Sequence, residues 1–424
     1  MKITVVGGGY VGLVSGACLA DLGHDVTIID TVSAKVDMIN SKKPPIYEKG
    51  LLDMLKRTVG KNLTASTKYE NVSESDVSLI CVGTPPKKDG SANLDYIKSA
   101  AASIGEELKK KSEKYHVVAV KSTVPPGTTE GIVKTTVLEY SGRNDEDVGF
   151  SMNPEFLREG LAVEDFMHPD RIVIGSSDKR AGDVIEQMYE KLNGDVLHTG
   201  ITAAEMIKYT SNAFLATKIS FSNEIGNICK SLSIDVYEVM KGVGMDHRIS
   251  PYFLNAGAGF GGSCFPKDVS ALVSLAEEKD QNPILLKSVL DVNKIQPLKM
   301  TEILKSRLCS LKNKKIAVLG LAFKDNTDDI RDSRSIPVIE ALILEEADVF
   351  AFDPMASDNM KNIYPEINYC KTALEALKDA EGCLVMTEWP EFSKLNDEFN
   401  QMKSKIIIEG RHILTIDEKE GICW

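Results

Sequence analysis

The sequence predicts an α/β chain with two doubly wound domains joined by a central helical region. Three observations carry this expectation. Short β-branched runs alternate with helical stretches in the first half of the chain, at 2–6, 26–29, 77–82, 117–120 and 171–175. Such alternation places helices on both faces of a mainly parallel sheet. From 203 to 241 the pattern turns helical with little strand signal, and helical sequence resumes from 267 to about 308. A second β-like series then follows at 316–319, 349–352, 383–386 and 406–408. The expected divisions are 1–200, 201–308 and 309–424, and 424 residues exceed what one hydrophobic core usually serves.

The first strand runs straight into Gly7-Gly8-Gly9-Tyr10-Val11-Gly12, a helical pattern continues to Leu22, and the next apolar run closes on Asp30. That is strand, tight turn, helix and strand around G-x-G-x-x-G. Gly7 permits the turn, Gly9 lets the backbone approach a pyrophosphate, and Gly12 lets the helix pack close on the strand. The helix N-terminus offers free N–H groups and a partial positive charge. Asp30 stands where a carboxylate would accept from ribose hydroxyls and repel a 2′-phosphate, so this Rossmann-like domain is expected to take NAD rather than NADP. The last domain has no such fingerprint: its first turn is Gly320-Leu321-Ala322-Phe323-Lys324, which disfavours a dinucleotide there. Thr202 and Glu205 have the spacing of a capping box at the head of the central helix.

Composition narrows the partners. A net charge of −12 argues against nucleic acid or an anionic membrane as the main partner, while 43% hydrophobic and 26% charged residues are ordinary for a globular protein. No apolar run reaches the roughly 20 residues that cross a bilayer, and the apolar start is too short for a secretory signal. The eight cysteines form no CxxC pair, so they read as reduced thiols in a cytoplasmic protein, and no metal site is expected.

One cysteine stands apart. Gly259-Phe260-Gly261-Gly262-Ser263-Cys264-Phe265-Pro266-Lys267-Asp268 is too rich in glycine for core filling, and suits a loop whose backbone approaches a ligand. Cys264 precedes a helical stretch and is followed by Lys267, two features that favour a thiolate. Cys18, Cys81, Cys229 and Cys383 read as buried, inert thiols. A nucleophilic thiol beside a dinucleotide fingerprint points to a four-electron oxidation. An aldehyde must gain a tetrahedral oxygen before it can lose a second hydride, and a thiolate supplies it.

These residues resemble the UDP-glucose/GDP-mannose dehydrogenase family. The cysteine loop carries the resemblance together with Asn153-Pro154-Glu155-Phe156-Leu157-Arg158-Glu159-Gly160, His168 to Gly175, Lys121 to Pro125, Cys81 to Pro85, Ala204 to Asn212 and Ala322-Phe323-Lys324. The matches keep their order from the N-terminus to Arg411, covering nearly the whole chain. The resemblance implies oxidation of UDP-glucose to UDP-glucuronate by two equivalents of NAD through Cys264, and a homodimer formed through the long central helix.

It also implies site residues. Lys208 would stabilise an oxyanion and Asn212 would hold water or hydroxyl, and i,i+4 spacing puts both on one helix face. Glu155 would position or deprotonate water, and Asp268 would orient the same site. On the cofactor side stand Tyr10, Val11, Lys35, Thr84, Thr123, Glu159, Lys267 and Arg331, with Thr123 also near the chemistry. Phe156, Leu157, Arg158, Glu159, Arg248, Phe253, Leu254, Phe260, Gly261, Lys324 and Arg411 would line the nucleotide-sugar site. GDP-mannose and UDP-N-acetylhexosamine remain alternative substrates, although the acetamido-sugar branch tends to carry His where this chain has Ser263. A non-catalytic nucleotide-sugar-binding protein is the alternative from another class. The joint presence of Cys264, Lys208, Asn212 and Asp268 argues against it.

Overall fold

The structure, a computed structural model, describes residues 1–110 and 115–424, and the counts below refer to these. The chain divides into two compact units, Met1–Ser211 and Asn212–Trp424, with the division inside the helix Ile201–Ser231. The first unit holds β1 (Lys2–Val6), β2 (Asp25–Ile29), β3 (Leu63–Ser66), β4 (Val77–Ile80), β5 (His116–Val120), β6 (Val148–Met152), β7 (Arg171–Ser176) and β8 (Asp195–Thr199). They form one sheet in the order β3-β2-β1-β4-β5-β6-β7-β8. Every described pairing is parallel except β6 with β7, where Met152 opposes Gly175 in antiparallel register.

The core follows from strand alternation between two apolar faces. On β5, Val117 and Ala119 join the layer that contains Leu13, Val14 and Ala17 of helix Tyr10–Asp21. Val118 and Val120 join the opposite layer, with Ile97, Ala101 and Ile104 of helix Asp95–Leu108. A strand buried on both faces reads as a continuous apolar run, which makes it visible in the sequence. β8 is different: its residues are mostly exposed and include Asp195 and His198, so no apolar run announces it.

The second unit opens with helices. Ile201–Ser231 is 31 residues long, roughly 45 Å at helical rise, and is followed by Val236–Gly244, Phe265–Glu278, Ile284–Ile295 and Leu298–Leu308. A sheet then forms from β9 (Lys315–Leu319), β10 (Asp348–Phe352), β11 (Asn368–Tyr369), β12 (Gly382–Val385), β13 (Ile407–Glu409) and β14 (Glu420–Gly421). Its order is β11-β10-β9-β12-β13-β14, all parallel.

The capping box is not formed. The helix starts at Ile201, and the Thr202 hydroxyl donates to Glu130 Oε2 at 2.7 Å. Glu205 is fully buried, and its carboxylate accepts from the backbone N–H groups of Gly127 (2.6 Å) and Thr129 (2.8 Å). It serves the unsatisfied start of a different helical stretch, 76 residues away from Thr129, a demand that outweighs a local cap. Among the described residues no helix is long and apolar enough to cross a membrane.

Candidate active site

In the first unit the glycine turn joins β1 to helix Tyr10–Asp21. Gly7 has φ +108, and a Cβ there would lie 2.8 Å from the Cys81 carbonyl oxygen. A Cβ on Gly12 would lie 1.8 Å from the Gly7 carbonyl oxygen, so only glycine lets the helix close on the strand. Gly9, the cap of the helix, has open space where its Cβ would be, so the backbone there can be approached by a ligand. Asp30 Oδ2 accepts from Gly8 N at 2.8 Å and Oδ1 from Val32 N at 2.9 Å, with Lys35 Nζ 3.8 Å away. Asp30 is half-buried, and Val11 is half-buried at the helix start. An open helix N-terminus flanked by a partly exposed carboxylate fits the diphosphate and ribose of NAD. Thr84 Oγ1 donates to the Thr123 carbonyl at 2.9 Å, which ties these two loop residues together.

The segment that follows β6 carries Glu155. Its Oε1 is 2.9 Å from Lys208 Nζ, both side chains are buried, and its Oε2 accepts from Leu157 N at 2.6 Å. Burial alone would raise the Glu155 carboxyl; the Lys208 ammonium, its hydrogen bond, the Leu157 N–H and the Lys121 charge overcome this and hold it below the ordinary range. Lys208 Nζ also lies 5.3 Å from the Phe156 ring centre, and the Arg171 guanidinium covers the same ring at 3.8 Å. Leu157 and Glu159 are half-buried. Arg158 is exposed and forked onto Asp165, with an Nη2 to Oδ1 distance of 2.6 Å.

In the second unit Cys264 is exposed and caps the N-terminus of helix Phe265–Glu278. An anion at that position is favoured by the helix dipole. The other thiols differ: burial pushes Cys81 up to about 12, and Cys18 and Cys383 are raised by the same cause. One helical turn beyond Cys264, Asp268 is 1% exposed, accepts from Asn212 Nδ2 at 2.6 Å and forms an ion pair with Lys267. Asn212 and Lys208 stand one turn apart on the helix Ile201–Ser231.

The glycines of the cysteine loop are explained by packing of the chain on itself. A Cβ on Gly261 would lie 2.3 Å from the Asp332 carbonyl oxygen, and one on Gly262 (φ +83) 2.7 Å from the Phe323 ring. Gly262 N donates to the Arg331 carbonyl at 2.9 Å. Asn293, which sequence reasoning missed, clamps Phe260 from both sides, accepting its N–H at 2.7 Å and donating to its carbonyl at 2.9 Å. Phe260 and Leu254 are buried, and Phe253 (φ +65) packs its ring 6.2 Å from Phe265.

Three further arginines are held by the chain's own acids. Arg248 Nη2 is 2.6 Å from Asp246, and Arg331 Nη2 is 2.6 Å from Asp329. Arg411 pairs with Glu388 at 2.9 Å and donates to the Gly259 carbonyl at 3.0 Å, beneath the cysteine loop. Lys324 is half-buried next to Phe323. Lys121 has a part that sequence reasoning missed. Its buried ammonium donates to Asn153 Oδ1 (3.0 Å) and Tyr189 OH (3.1 Å), fixing the start of the Glu155 segment. Its sole sequence signal is the motif at 121–125.

Models of one family match three sections of the chain: the UDP-glucose/GDP-mannose dehydrogenase NAD binding domain over residues 1–193, central domain over 202–295 and UDP binding domain over 317–416. UDP-glucose 6-dehydrogenase AglM of Haloferax volcanii is 44% identical over 430 residues, covering 100% of this chain and 99% of its own. The solved UDP-glucose dehydrogenase of the hyperthermophilic archaeon Pyrobaculum islandicum is 40% identical with a TM-score of 0.95, over 100% of this chain and 98% of that one. A UDP-D-ManNAc dehydrogenase structure from Pyrococcus horikoshii is 27% identical with a TM-score of 0.88, over 100% and 99%. Matched along its length by these models and relatives, the chain belongs to the UDP-glucose/GDP-mannose dehydrogenase family and is an NAD-dependent oxidoreductase.

Proposed function

We propose that this chain oxidises the C6 alcohol of UDP-glucose to the carboxylate of UDP-glucuronate, with Cys264 as a covalent catalyst. The observation that carries the mechanism is the exposed Cys264 at the start of Phe265–Glu278, with Asp268 buried one turn further on and held by Asn212 and Lys267. NAD, when bound, accepts a hydride in each of the two oxidations. Lys208 stabilises negative charge on the sugar oxygen while the alcohol proton passes through the water held by Asn212 to solvent. The Cys264 thiolate adds to the aldehyde carbon, forming a C–S bond and a thiohemiacetal. Loss of the second hydride leaves a thioester. Glu155, kept ionised by Lys208, accepts a proton from water as its oxygen attacks the thioester carbon. Collapse breaks the C–S bond, returning the thiolate and releasing the acid. Asn212 holds the hydroxyl or water, and Asp268 orients Asn212.

Thr84, Thr123, Glu159 and Lys267 serve the cofactor side in this reading, and Lys324 and Arg411 serve the nucleotide-sugar. Arg158, Arg248 and Arg331 exchange their aspartates for ligand oxygens. Self-association through the central helix is supported by Phe214, Phe221 and Ile228, exposed at seven-residue intervals on one helical stripe.

The test is NADH absorbance with UDP-glucose, GDP-mannose and UDP-N-acetylhexosamines. UDP-glucose is expected to react best and to give two NADH per sugar, with almost no aldehyde captured by a hydrazide trap. Cys264→Ser is expected to abolish acid formation while retaining ligand binding. One NADH per sugar with trapped aldehyde would reduce the reaction to a two-electron oxidation without a covalent step. No NADH from any sugar would leave a binding protein.

A further inference from the structure

Glu48 lies in the loop between helices Ser33–Asn40 and Leu51–Thr58, outside every motif that pointed to the site. It is only 6% exposed. Among the described residues it makes no ion pair. Its partners are neutral donors from two segments. Oε2 accepts from the Tyr10 hydroxyl and from Gly160 N at 2.8 Å, and Oε1 accepts from Ala162 N at 3.0 Å. The Tyr10 oxygen itself accepts from Gly160 N at 2.7 Å. A carboxylate buried without a cation is costly to hold unless its lone pairs are filled, and here they are filled from two places at once.

Those two places matter. Tyr10 is the first residue of the helix that follows the open Gly9, so it belongs to the cofactor turn. Gly160 ends the Asn153–Gly160 segment, directly after Glu159, and takes φ +83, a conformation that L side chains rarely adopt. Ala162 opens the short helix Ala162–Met167. All lie in the first unit. Burial, reinforced by the Glu48 carboxylate, raises the Tyr10 phenol above its ordinary range, so it remains a proton donor at neutral pH.

We propose that Tyr10 and Glu48 form a strut through which the cofactor turn and the nucleotide-sugar segment are coupled, so that filling one site favours filling the other. Glu48 is a positioning residue: it reaches neither ligand, and acts through Tyr10 on one side and the Gly160–Ala162 backbone on the other. The inference rests on the assignment of 153–160 to the sugar site. The direction of coupling follows from the shared atoms. A cofactor seated on Gly9 and Tyr10 fixes the phenol. The phenol and Glu48 then fix Gly160 N, and the ordering cost of the sugar segment has already been met when the sugar arrives.

The test uses a pair of ligands that cannot react, NADH and UDP-glucose. NADH fluorescence titrations with and without saturating UDP-glucose give two Kd values, and their ratio measures the coupling. By reciprocity the same ratio must appear when UDP-glucose is titrated against free and NADH-saturated protein. The wild-type chain is expected to show coupling of about tenfold, within the usual allosteric range. Glu48→Gln keeps the shape but turns N–H groups toward the Ala162 or Gly160 donors, and Tyr10→Phe keeps the ring and removes the link. Each is expected to bring the ratio to within about twofold of one. The double variant should lose no more than either single, because one strut is cut in each case. A merely structural Glu48 would change Kd values or melting temperature while leaving the ratio intact. A wild-type ratio near one, or a full ratio in either variant, overturns the proposal, and the wild-type measurement needs no variant to fold. NADH production from UDP-glucose is measured in parallel. Activity without coupling defeats the strut alone, whereas no activity and no UDP-glucose binding defeat the assignment on which it rests.

Discussion

Asp30 follows β2, the strand beside β1, and Asp353 follows β10, the strand beside β9, so the two acids hold equivalent places in sheets of the same winding. Each accepts from the first turn of its own sheet. Asp30 Oδ2 takes Gly8 N at 2.8 Å, while Asp353 Oδ2 takes Leu321 N at 2.7 Å and Ala322 N at 3.0 Å. The likeness ends there. Asp353 is 4% exposed and is filled by three more donors, Met355 N and Ala356 N at 2.8 Å and Trp389 Nε1 at 3.1 Å. Asp30 is half-buried, with a side chain 10% exposed, and accepts from two backbone donors, Gly8 N and Val32 N. The turns differ in the same sense. Gly9 is half-buried and faces open space, whereas Ala322, the equivalent third residue after its strand, is 1% exposed. One winding therefore leaves its carboxylate with two backbone donors beside an open turn, and the other consumes it in its own construction.

The largest expected effect separates these two roles. Asp353→Ala strands four backbone N–H groups and an indole N–H, and is expected to cost about 4–5 kcal/mol. The chain has two tryptophans, Trp389 and Trp424, both in the second unit, so fluorescence-detected urea unfolding reads that unit alone. A Trp-detected midpoint that barely moves would mean that water replaces the carboxylate and that Asp353 is no keystone.

A second test concerns Glu155, a buried acid of the first unit with what Asp353 lacks among the described residues, an ionic partner. Removing it with Lys208→Met leaves Glu155 buried and charged at neutral pH, at a cost of about 3 kcal/mol. The sign with pH is definite. In the wild type the Glu155 carboxyl is held low, so its contribution is present above the unfolded value near 4.5 and is lost as pH falls through the lower folded value. Without Lys208, burial dominates and raises the carboxyl despite the Leu157 N–H and Lys121, so the variant prefers the protonated form. The penalty should shrink from pH 7 to pH 4.5, read by amide hydrogen exchange in β6. A penalty independent of pH would show that lost packing, not stranded charge, is responsible.

What the sequence disclosed follows the same division between local and distant causes. Val77, Leu79, Val117 and Ala119 sit in strands buried on both faces, so their apolar runs are plain. The glycine fingerprint, Asp30 and the thiol ahead of a helix are legible because turn, spacing and cap are properties of adjacent residues. The roles of Glu48 and Glu205 are not, because their partners lie 112 and 76 residues away, at Gly160 and Thr129. The loop glycines stand out, but their purpose is set by Asp332 and Phe323, which nothing in the local pattern names. β8 and the two-residue strands β11 and β14 lack the apolar runs on which a strand is recognised.

The smallest expected effect tests Asp30 directly. Asp30→Ala removes the acceptor for Gly8 N, which is buried, and for Val32 N, which water can reach, so the first unit should lose only about 1 kcal/mol of stability. The loss should fall on the cofactor. Hydrogen bonds from ribose hydroxyls to a carboxylate are charge-assisted, so the KM for NAD is expected to rise about tenfold. The KM for NADP should rise less or fall, for two reasons. The carboxylate that repelled a 2′-phosphate is gone, and Lys35, 3.8 Å from Asp30 in the wild type, is released to meet it. The preference for NAD should therefore narrow from both sides, with the Trp-detected midpoint of the second unit unmoved. Unchanged KM values for both cofactors would place the ribose elsewhere, and the contrast between the two acids would then rest on burial alone.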